Sequence, residues 1–137
     1  MRTGRTFVDT NILVYMFDSA DPKKRAMAIE TVSSLGDRIV VSTQVMQEFF
    51  WVSTRKLGMD AMAARRVAHG FSEGEIVIVS PDLVLAAIDL SVLSGITLWH
   101  SLIVQAAVAG RCTRILTEDL SHGQTIQGVR IESPFTS

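Results

Sequence analysis

Arg-Thr-Phe-Val-Asp-Thr-Asn, residues 5–11, carries the strongest indication of fold in this chain. Residues 5–9 predict a short, apolar β-strand that ends in Asp9, and residues 12–17 predict a short helix directly after it. Burying an unpaired carboxylate costs free energy, so an acid in so apolar a context requires an explanation. Asp9 is therefore either a turn former at the strand end or a member of a functional site.

Beyond this stretch, short β-like runs alternate with longer helical segments. Such alternation is typical of a parallel sheet that is covered by helices on both faces. We expect a three-layer α/β/α fold with a five-stranded parallel sheet, and we expect residues 1–137 to form a single domain. The predicted strands are 5–9, 38–42, 75–79, 114–117 and 129–132, and the predicted helices are 12–17, 22–36, 44–57, 60–69, 81–95 and 98–109.

The composition and net charge of the chain limit the functions that it can have. The chain is 47% hydrophobic and 20% charged, with a formal net charge of −1, so it is not a protein that binds nucleic acid through a uniformly basic surface. RNA contacts would have to be local, for example through Arg55, Lys56, Arg65 and Arg66. Cys112, the single cysteine, cannot form an internal disulfide and is expected to be a small buried hydrophobe. With no predicted signal peptide or membrane span, we expect a cytoplasmic protein.

Acidic side chains follow the predicted strands where a ligand site is expected. In an open parallel sheet, ligands gather beyond the carboxyl ends of the strands. Hard oxygen ligands suit Mg²⁺ or Mn²⁺, and such an ion can promote hydrolysis of a phosphodiester. The residues expected to converge at this edge are Asp9, Glu48, His100, Glu118 and Asp119.

Three ordered motifs carry a family resemblance. Phe-Val-Asp-Thr-Asn-Ile-Leu-Val-Tyr at 7–15 resembles the opening of PIN-domain proteins, especially the VapC toxins of bacterial toxin–antitoxin pairs. Ser-Thr-Gln-Val-Met-Gln-Glu-Phe at 42–49 is similar to the second motif of that family. Leu-Thr-Glu-Asp-Leu-Ser-His-Gly-Gln at 116–124, followed by Gly-Val-Arg-Ile at 128–131 and by Pro-Phe at 134–135, resembles its closing motif.

The resemblance implies a divalent-metal-dependent endoribonuclease. It assigns the catalytic, metal-binding acids to Asp9, Glu48 and Asp119, with Mg²⁺ or Mn²⁺ as cofactor. It implies that Asn11 and Thr117 are supporting polar neighbours, and we include Glu118 with them. It further implies an RNA substrate, an antitoxin partner and a homodimer.

His100 departs from the family pattern. Leu-Trp-His-Ser-Leu-Ile at 98–103 resembles a motif in which an aspartate follows the aromatic residue, and no other acid lies between 91 and 117. Three interpretations stay open. His100 could bind metal through a neutral imidazole, which would favour Mn²⁺; one metal position could be lost; or catalysis could be absent, whether the substitution is natural or introduced. A catalytically silent module that binds RNA or an antitoxin is therefore the alternative function.

Other features point to ordinary structural roles. Trp51 and Trp99 are expected in the core or at an interface, and His69 and His122 on the surface or in turns. The run Pro-Lys-Lys-Arg at 22–25 is expected to be a solvated helix start. Phosphate-binding loops of the G-x-x-x-x-G-K-S/T and G-x-G-x-x-G types are absent, and a phospho-receiver domain would need a strand-end lysine after Lys56, which the sequence lacks.

Overall fold

Strands and helices alternate along residues 4–136, which are the residues that the computed structural model describes. The strands are Arg5–Val8 (β1), Ile39–Ser42 (β2), Glu75–Val77 (β3), Cys112–Leu116 (β4), Thr125–Ile126 (β5) and Val129–Glu132 (β6). The helices are Thr10–Tyr15 (α1), Pro22–Leu35 (α2), Thr43–Arg55 (α3), Ala61–Ser72 (α4), Pro81–Ser94 (α5) and Leu98–Ala109 (α6), with a 3-10 turn at Gly36–Arg38.

The strands form one sheet in the order β3-β2-β1-β4-β6-β5. The five predicted strands pair in parallel, which confirms the α/β fold class. A sixth strand, β5, was not predicted: it pairs antiparallel with β6 at the sheet edge. It is only two residues long, and Gln127 and Gly128 connect it to β6 with positive φ angles of 52° and 80°. Two positive φ angles are typical of a type I′ hairpin turn, but Gln-Gly is a weaker sequence signal for it than Asn-Gly.

The hydrophobic core lies on both faces of the sheet. Phe7 and Val8 are adjacent in β1, so their side chains point to opposite faces, yet both are fully buried. Helix α6 packs against β2, β4 and β6 and pairs with α5, while α3 contacts β2 and pairs with α1 and α4. Cys112 is buried, as predicted, and burial raises the pKa of its thiol to about 12.

The consecutive aromatic residues 49–51 of helix α3 point in different directions. Phe49 is fully buried, whereas Phe50 and Trp51 expose 39% and 58% of their surface. Trp99 at the start of α6 is 64% exposed. Neither tryptophan therefore lies in the core, and an interface position stays a prediction for both. His69 and His122 are exposed, as predicted.

The chain order creates a crevice at the centre of the sheet. From β1 the chain continues to β2 and β3 on one side, and β4 and β6 lie on the other side. The loops that leave β1 and β4 therefore diverge, and such a switch point is where ligands bind in open α/β sheets. None of the helices within residues 4–136 has the length and apolar composition needed to cross a lipid bilayer.

Candidate active site

Asp9 lies at the switch point, directly after β1. Its side chain is almost fully buried and caps α1, with Oδ1 accepting a hydrogen bond from the backbone N–H of Thr10 at 2.7 Å. Its Oδ2 accepts a hydrogen bond from the hydroxyl of Thr117 at 2.7 Å, and its backbone N–H donates to the Leu116 carbonyl at 3.0 Å. Asp9 is thus both a helix cap and a carboxylate fixed between two neighbouring strands.

The pKa of the Asp9 carboxyl group is well above its ordinary value. Burial raises its pKa to about 6 from an ordinary value of 3.8, even though the hydrogen bonds from Thr117 and Thr10 oppose the change. The negative charges of Asp119 and Glu48 raise it further. A positive charge next to this carboxylate would relieve both the desolvation and the repulsion.

Glu48 reaches the same site from α3. Its Oε1 accepts a hydrogen bond from the hydroxyl of Thr10 at 2.8 Å, and its Oε2 accepts one from Gln44 Nε2 at 3.3 Å. Thr10 therefore links the two acids, since its N–H binds Asp9 and its hydroxyl binds Glu48. Thr10 and Glu48 lie 38 positions apart in sequence, so this contact joins two distant segments.

Asp119 follows β4 and is less enclosed. Its backbone N–H donates to the Thr117 hydroxyl oxygen at 3.1 Å, while 54% of its side chain is exposed. Thr117 is fully buried, so a single hydroxyl connects the loop of Asp119 with the Asp9 carboxylate. Thr117 therefore links the end of β1 to the loop that follows β4.

His100 lies in the first turn of α6, facing Asp119. Thr97 caps this helix by accepting a hydrogen bond from the His100 N–H at 3.2 Å, and its hydroxyl also lies 3.0 Å from His100 Nδ1. The other ring nitrogen, Nε2, lies 3.7 Å from Asp119 Oδ2, which is longer than a hydrogen bond. His100 therefore lies next to Asp119, and the helix cap Thr97 orients its ring.

Asn11 contributes an amide without a partner. Both its side-chain oxygen and its nitrogen are buried, and neither makes a hydrogen bond within the described part of the chain. Leaving such groups unsatisfied costs free energy, so this amide is suited to receive a water or a ligand group.

Glu118 lies outside this arrangement. It forms an ion pair with Lys24 and accepts a hydrogen bond from the Tyr15 hydroxyl at 2.7 Å. Burial alone would raise the pKa of Glu118, but the hydrogen bonds from Lys24 and Tyr15 outweigh burial and lower it. Lys24 Nζ also lies 5.0 Å from the centre of the Tyr15 ring and 5.1 Å from that of Phe135.

The contacts of Glu118 and Lys24 differ from two expectations. Glu118 does not join the acids in the cleft, because its neighbours turn it toward α2. Lys24 is not simply part of a solvated helix start, because it is half-buried between two aromatic rings. No sequence signal indicated this cluster, since Lys24 and Glu118 lie 94 positions apart.

The acids open into one cleft of about 1010 Å³. Its lining combines acidic side chains with apolar and aromatic ones and one lysine. His100 and Thr117 are not part of its lining. The residues that line it are Asp9, Thr10, Asn11, Val14, Tyr15, Asp18, Ala20, Gln47, Glu48, Trp51, Val52, Lys56, Leu57 and Asp119.

Comparison with known families agrees with this geometry. The family model for the PIN domain matches residues 6–125, which is most of the chain. This chain belongs to the PIN domain family. No curated protein sequence matches it.

Solved structures resemble this PIN domain in fold. A toxin–antitoxin complex from Klebsiella pneumoniae is 20% identical with a TM-score of 0.72, over 95% of this chain and 98% of that one. DNA-bound VapBC from Salmonella typhimurium is 18% identical with a TM-score of 0.67, over 96% and 99%. VapC20 from Mycobacterium tuberculosis, a toxin that cleaves the sarcin-ricin loop, is 16% identical with a TM-score of 0.67, over 80% and 86%.

The donors of this PIN domain fit a hydrated, hard cation better than a closed metal site. Within residues 4–136, no three Asp, Glu, His or Cys side chains are arranged to hold one metal ion between them. Mg²⁺ typically binds through one or two carboxylates and keeps several waters. Asp9, Glu48 and Asp119 provide such carboxylates on one cleft, and the unpartnered Asn11 amide is available to a water there.

Proposed function

We propose that this PIN domain is a divalent-metal-dependent endoribonuclease of the VapC toxin type. The observation that carries the proposal is the convergence of Asp9, Glu48 and Asp119 on one cleft, with Asp9 buried and fixed by two threonines. A family whose structural relatives include toxins that act on RNA makes an RNA phosphodiester the expected substrate.

Each side chain then has a defined task. Asp9, Glu48 and Asp119 would hold Mg²⁺ or Mn²⁺, and the bound ion supplies Lewis-acid activation of water and charge stabilisation at the phosphate. Thr10 and Thr117 keep the Asp9 and Glu48 carboxylates oriented, so that little reorganisation is needed on binding. The Asn11 amide positions a water or a phosphate oxygen, because its hydrogen-bonding groups are otherwise unused.

His100 gives the alternative function its support. A protonated imidazole 3.7 Å from Asp119 would compete with a cation for that carboxylate. In that case the domain would bind RNA or an antitoxin without turnover. In the enzyme, a neutral His100 would instead offer a nitrogen ligand beside Asp119 to a hydrated ion, and would favour Mn²⁺ over Mg²⁺.

The expected partners follow from the same family. The toxin–antitoxin complexes among the structural relatives support an antitoxin as partner, in a cytoplasmic protein. A homodimer is supported by α5, on which Leu85, Val92 and Leu93 expose 60%, 78% and 86% of their surface. Exposed apolar side chains grouped on one helix are typical of an interaction surface.

Cleavage of single-stranded RNA in Mg²⁺ and in Mn²⁺ tests the proposal, with the parent, His100→Asp and Asp9→Asn compared. We expect the parent to cut better in Mn²⁺, and Asp9→Asn to lose roughly 10²- to 10³-fold in rate, as when one stabiliser of a preorganised site is removed. If only His100→Asp cuts, the parent is the silent binding form. If neither cuts, the ribonuclease assignment is wrong.

A further inference from the structure

One face of α3 carries a carboxylate, an indole and a guanidinium. Glu48 precedes Trp51 and Val52 by three and four residues, and Arg55 follows them by four and three, so these side chains share a face of the helix. Glu48, Trp51 and Val52 all line the cleft. Three residues of helix correspond to a rise of about 4.5 Å, so the backbone positions of Glu48 and Trp51 lie within one helical turn of each other.

The Trp51 indole is exposed where an apolar ring would ordinarily be buried. It shows 58% of its surface, and the Arg55 guanidinium lies 4.0 Å from the centre of its ring. This cation–π contact limits the motion of the indole and places a positive charge next to it. Lys56, the next residue, adds a second positive charge in the lining of the same cleft.

The charge distribution identifies the kind of ligand. Asp9, Glu48 and Asp119 repel the phosphates of a nucleic acid unless a cation is bound, whereas Arg55 and Lys56 attract them. An exposed aromatic ring between these two regions suits a planar base whose own phosphates extend to both sides. An apolar peptide side chain would use the ring but neither of the two charged regions.

We infer that Trp51, Arg55 and Lys56 form a subsite on which an unpaired nucleobase stacks, next to the phosphodiester that is cut. The inference rests on the proposed function and adds to it a base-binding subsite on this chain. Bases inside a duplex are already stacked on one another, so the ring cannot reach their faces. Arg55 and Lys56 then bind the flanking phosphates.

The two tryptophans of the chain allow a direct test by fluorescence. In an Asp9→Asn background, in which cleavage should be slow, Trp99→Phe leaves Trp51 as the only indole and Trp51→Phe leaves Trp99. Trp99 is equally exposed but lies outside the cleft lining, so it is the matched control. Random single-stranded RNA octamers with Mg²⁺ should quench the emission of Trp51 and leave that of Trp99 unchanged. Equal quenching of both, or of neither while anisotropy reports binding, overturns the inference.

Substitution at Trp51 gives the size of the effect. Trp51→Ala should weaken binding of the octamers about 5- to 150-fold, the range for loss of one base–aromatic stack, whereas Trp51→Phe and Trp99→Ala should bind nearly as the parent does. Because Trp51 is exposed, all three variants should melt at nearly the parent temperature. An octamer with an abasic residue at the stacked position should bind the parent and Trp51→Ala equally. If Trp51→Ala binds RNA as tightly as the parent, the inference is wrong, and a protein partner becomes the better occupant of this surface.

Failure of the subsite and failure of the proposed function give different results. RNA that quenches Trp51 but is never cut supports the subsite and contradicts the ribonuclease. RNA that is cut at the same KM by the parent and by Trp51→Ala supports the ribonuclease and contradicts the subsite.

Discussion

The site has two sides that are held very differently. On one side, Asp9 is almost fully buried, and Thr10 and Thr117 bind both its oxygens as well as one oxygen of Glu48. On the other side, Asp119 is 54% exposed, and the nearest nitrogen of His100 is 3.7 Å from its carboxylate. The first side is fixed before any ligand arrives, and the second has room to adjust.

This difference predicts where substitutions are tolerated. A change at Asp9 would disturb a helix cap and two strands at once, because the same carboxylate serves both. His100 lies on the adjustable side, and Thr97 still caps its helix. The fold therefore tolerates a histidine there, and its consequences fall on ligand binding.

The largest expected effect concerns the stability of the metal-free protein. The pKa of Asp9 is about 6 in the folded protein and 3.8 when unfolded, so the folded state binds the proton more tightly. The stabilisation from this group is fully present below pH 3.8 and is lost as pH rises through 6, by about 3 kcal/mol at 1.36 kcal/mol per pKa unit. Asp9→Asn should lack this loss, so in EDTA the variant should gain stability relative to the parent as pH rises from 4 to 8.

Urea unfolding between pH 4 and pH 8 measures this effect as the difference between parent and variant, in which the other titrating groups cancel. Asp89→Asn, on an exposed part of α5, should follow the parent curve. Mg²⁺ at 100 times its Kd should restore about 2.7 kcal/mol to the parent at pH 7 and much less to Asp9→Asn. If the unfolding free energies of parent and Asp9→Asn change equally with pH, ionisation of the buried Asp9 carboxyl group does not destabilise the protein as described.

The next effect compares a threonine from each side. Thr117→Val removes a donor to Asp9 and an acceptor for the Asp119 N–H, and should cost about 1–3 kcal/mol in unfolding free energy. Thr97→Val removes a helix cap and should cost about 0.5–2 kcal/mol. The two variants are thus destabilised to a similar degree, but only Thr117→Val should lose about tenfold or more in cleavage rate.

Melting temperature and RNA cleavage, measured on the same preparations, separate the two outcomes. Thr117→Ser keeps the hydroxyl and should recover most of the activity. Equal losses of activity in Thr117→Val and Thr97→Val would show that the two sides are not held differently.

The smallest effect is expected at the Lys24–Glu118 pair behind the site. Lys24→Met keeps the length of the side chain between the Tyr15 and Phe135 rings but removes its charge. Because the pair is partly exposed, the cost in unfolding free energy should be at most about 1 kcal/mol. The pKa of Glu118 should rise toward its usual value, which carboxylate titration by NMR measures. Lys23→Met, at an exposed position, is the control and should leave that pKa unchanged.

Much of the fold was predictable because its signals are local. The alternation of apolar runs with helical periodicity predicted β6 and α6 to the residue, and capping residues placed most other helix ends within about three positions. Strand β5 was missed because two residues with an unusual turn carry almost no periodic signal. Whether the tryptophans lie in the core or on the surface was left open, since apolar character alone does not show which face of a helix is covered.

The candidate site was predictable only in part. The strand-end rule and the family motifs bring Asp9, Glu48 and Asp119 to one edge, and the structure places all three in one cleft. The role of Glu118 could not be derived in this way, because adjacent side chains in a loop can point in opposite directions. Its orientation depends on Lys24 and Tyr15, which lie 94 and 103 positions away.

Local pattern therefore specified the strands, the helices and the acids that end them, because strand and helix periodicity and capping act over a few residues. Packing alone determined the rest: the buried state and raised pKa of Asp9, the threonine that joins it to Glu48, and the indole beside the acids. These properties depend on which atoms from distant segments displace water around a given side chain. No short stretch of sequence shows which distant segments will exclude water from a side chain.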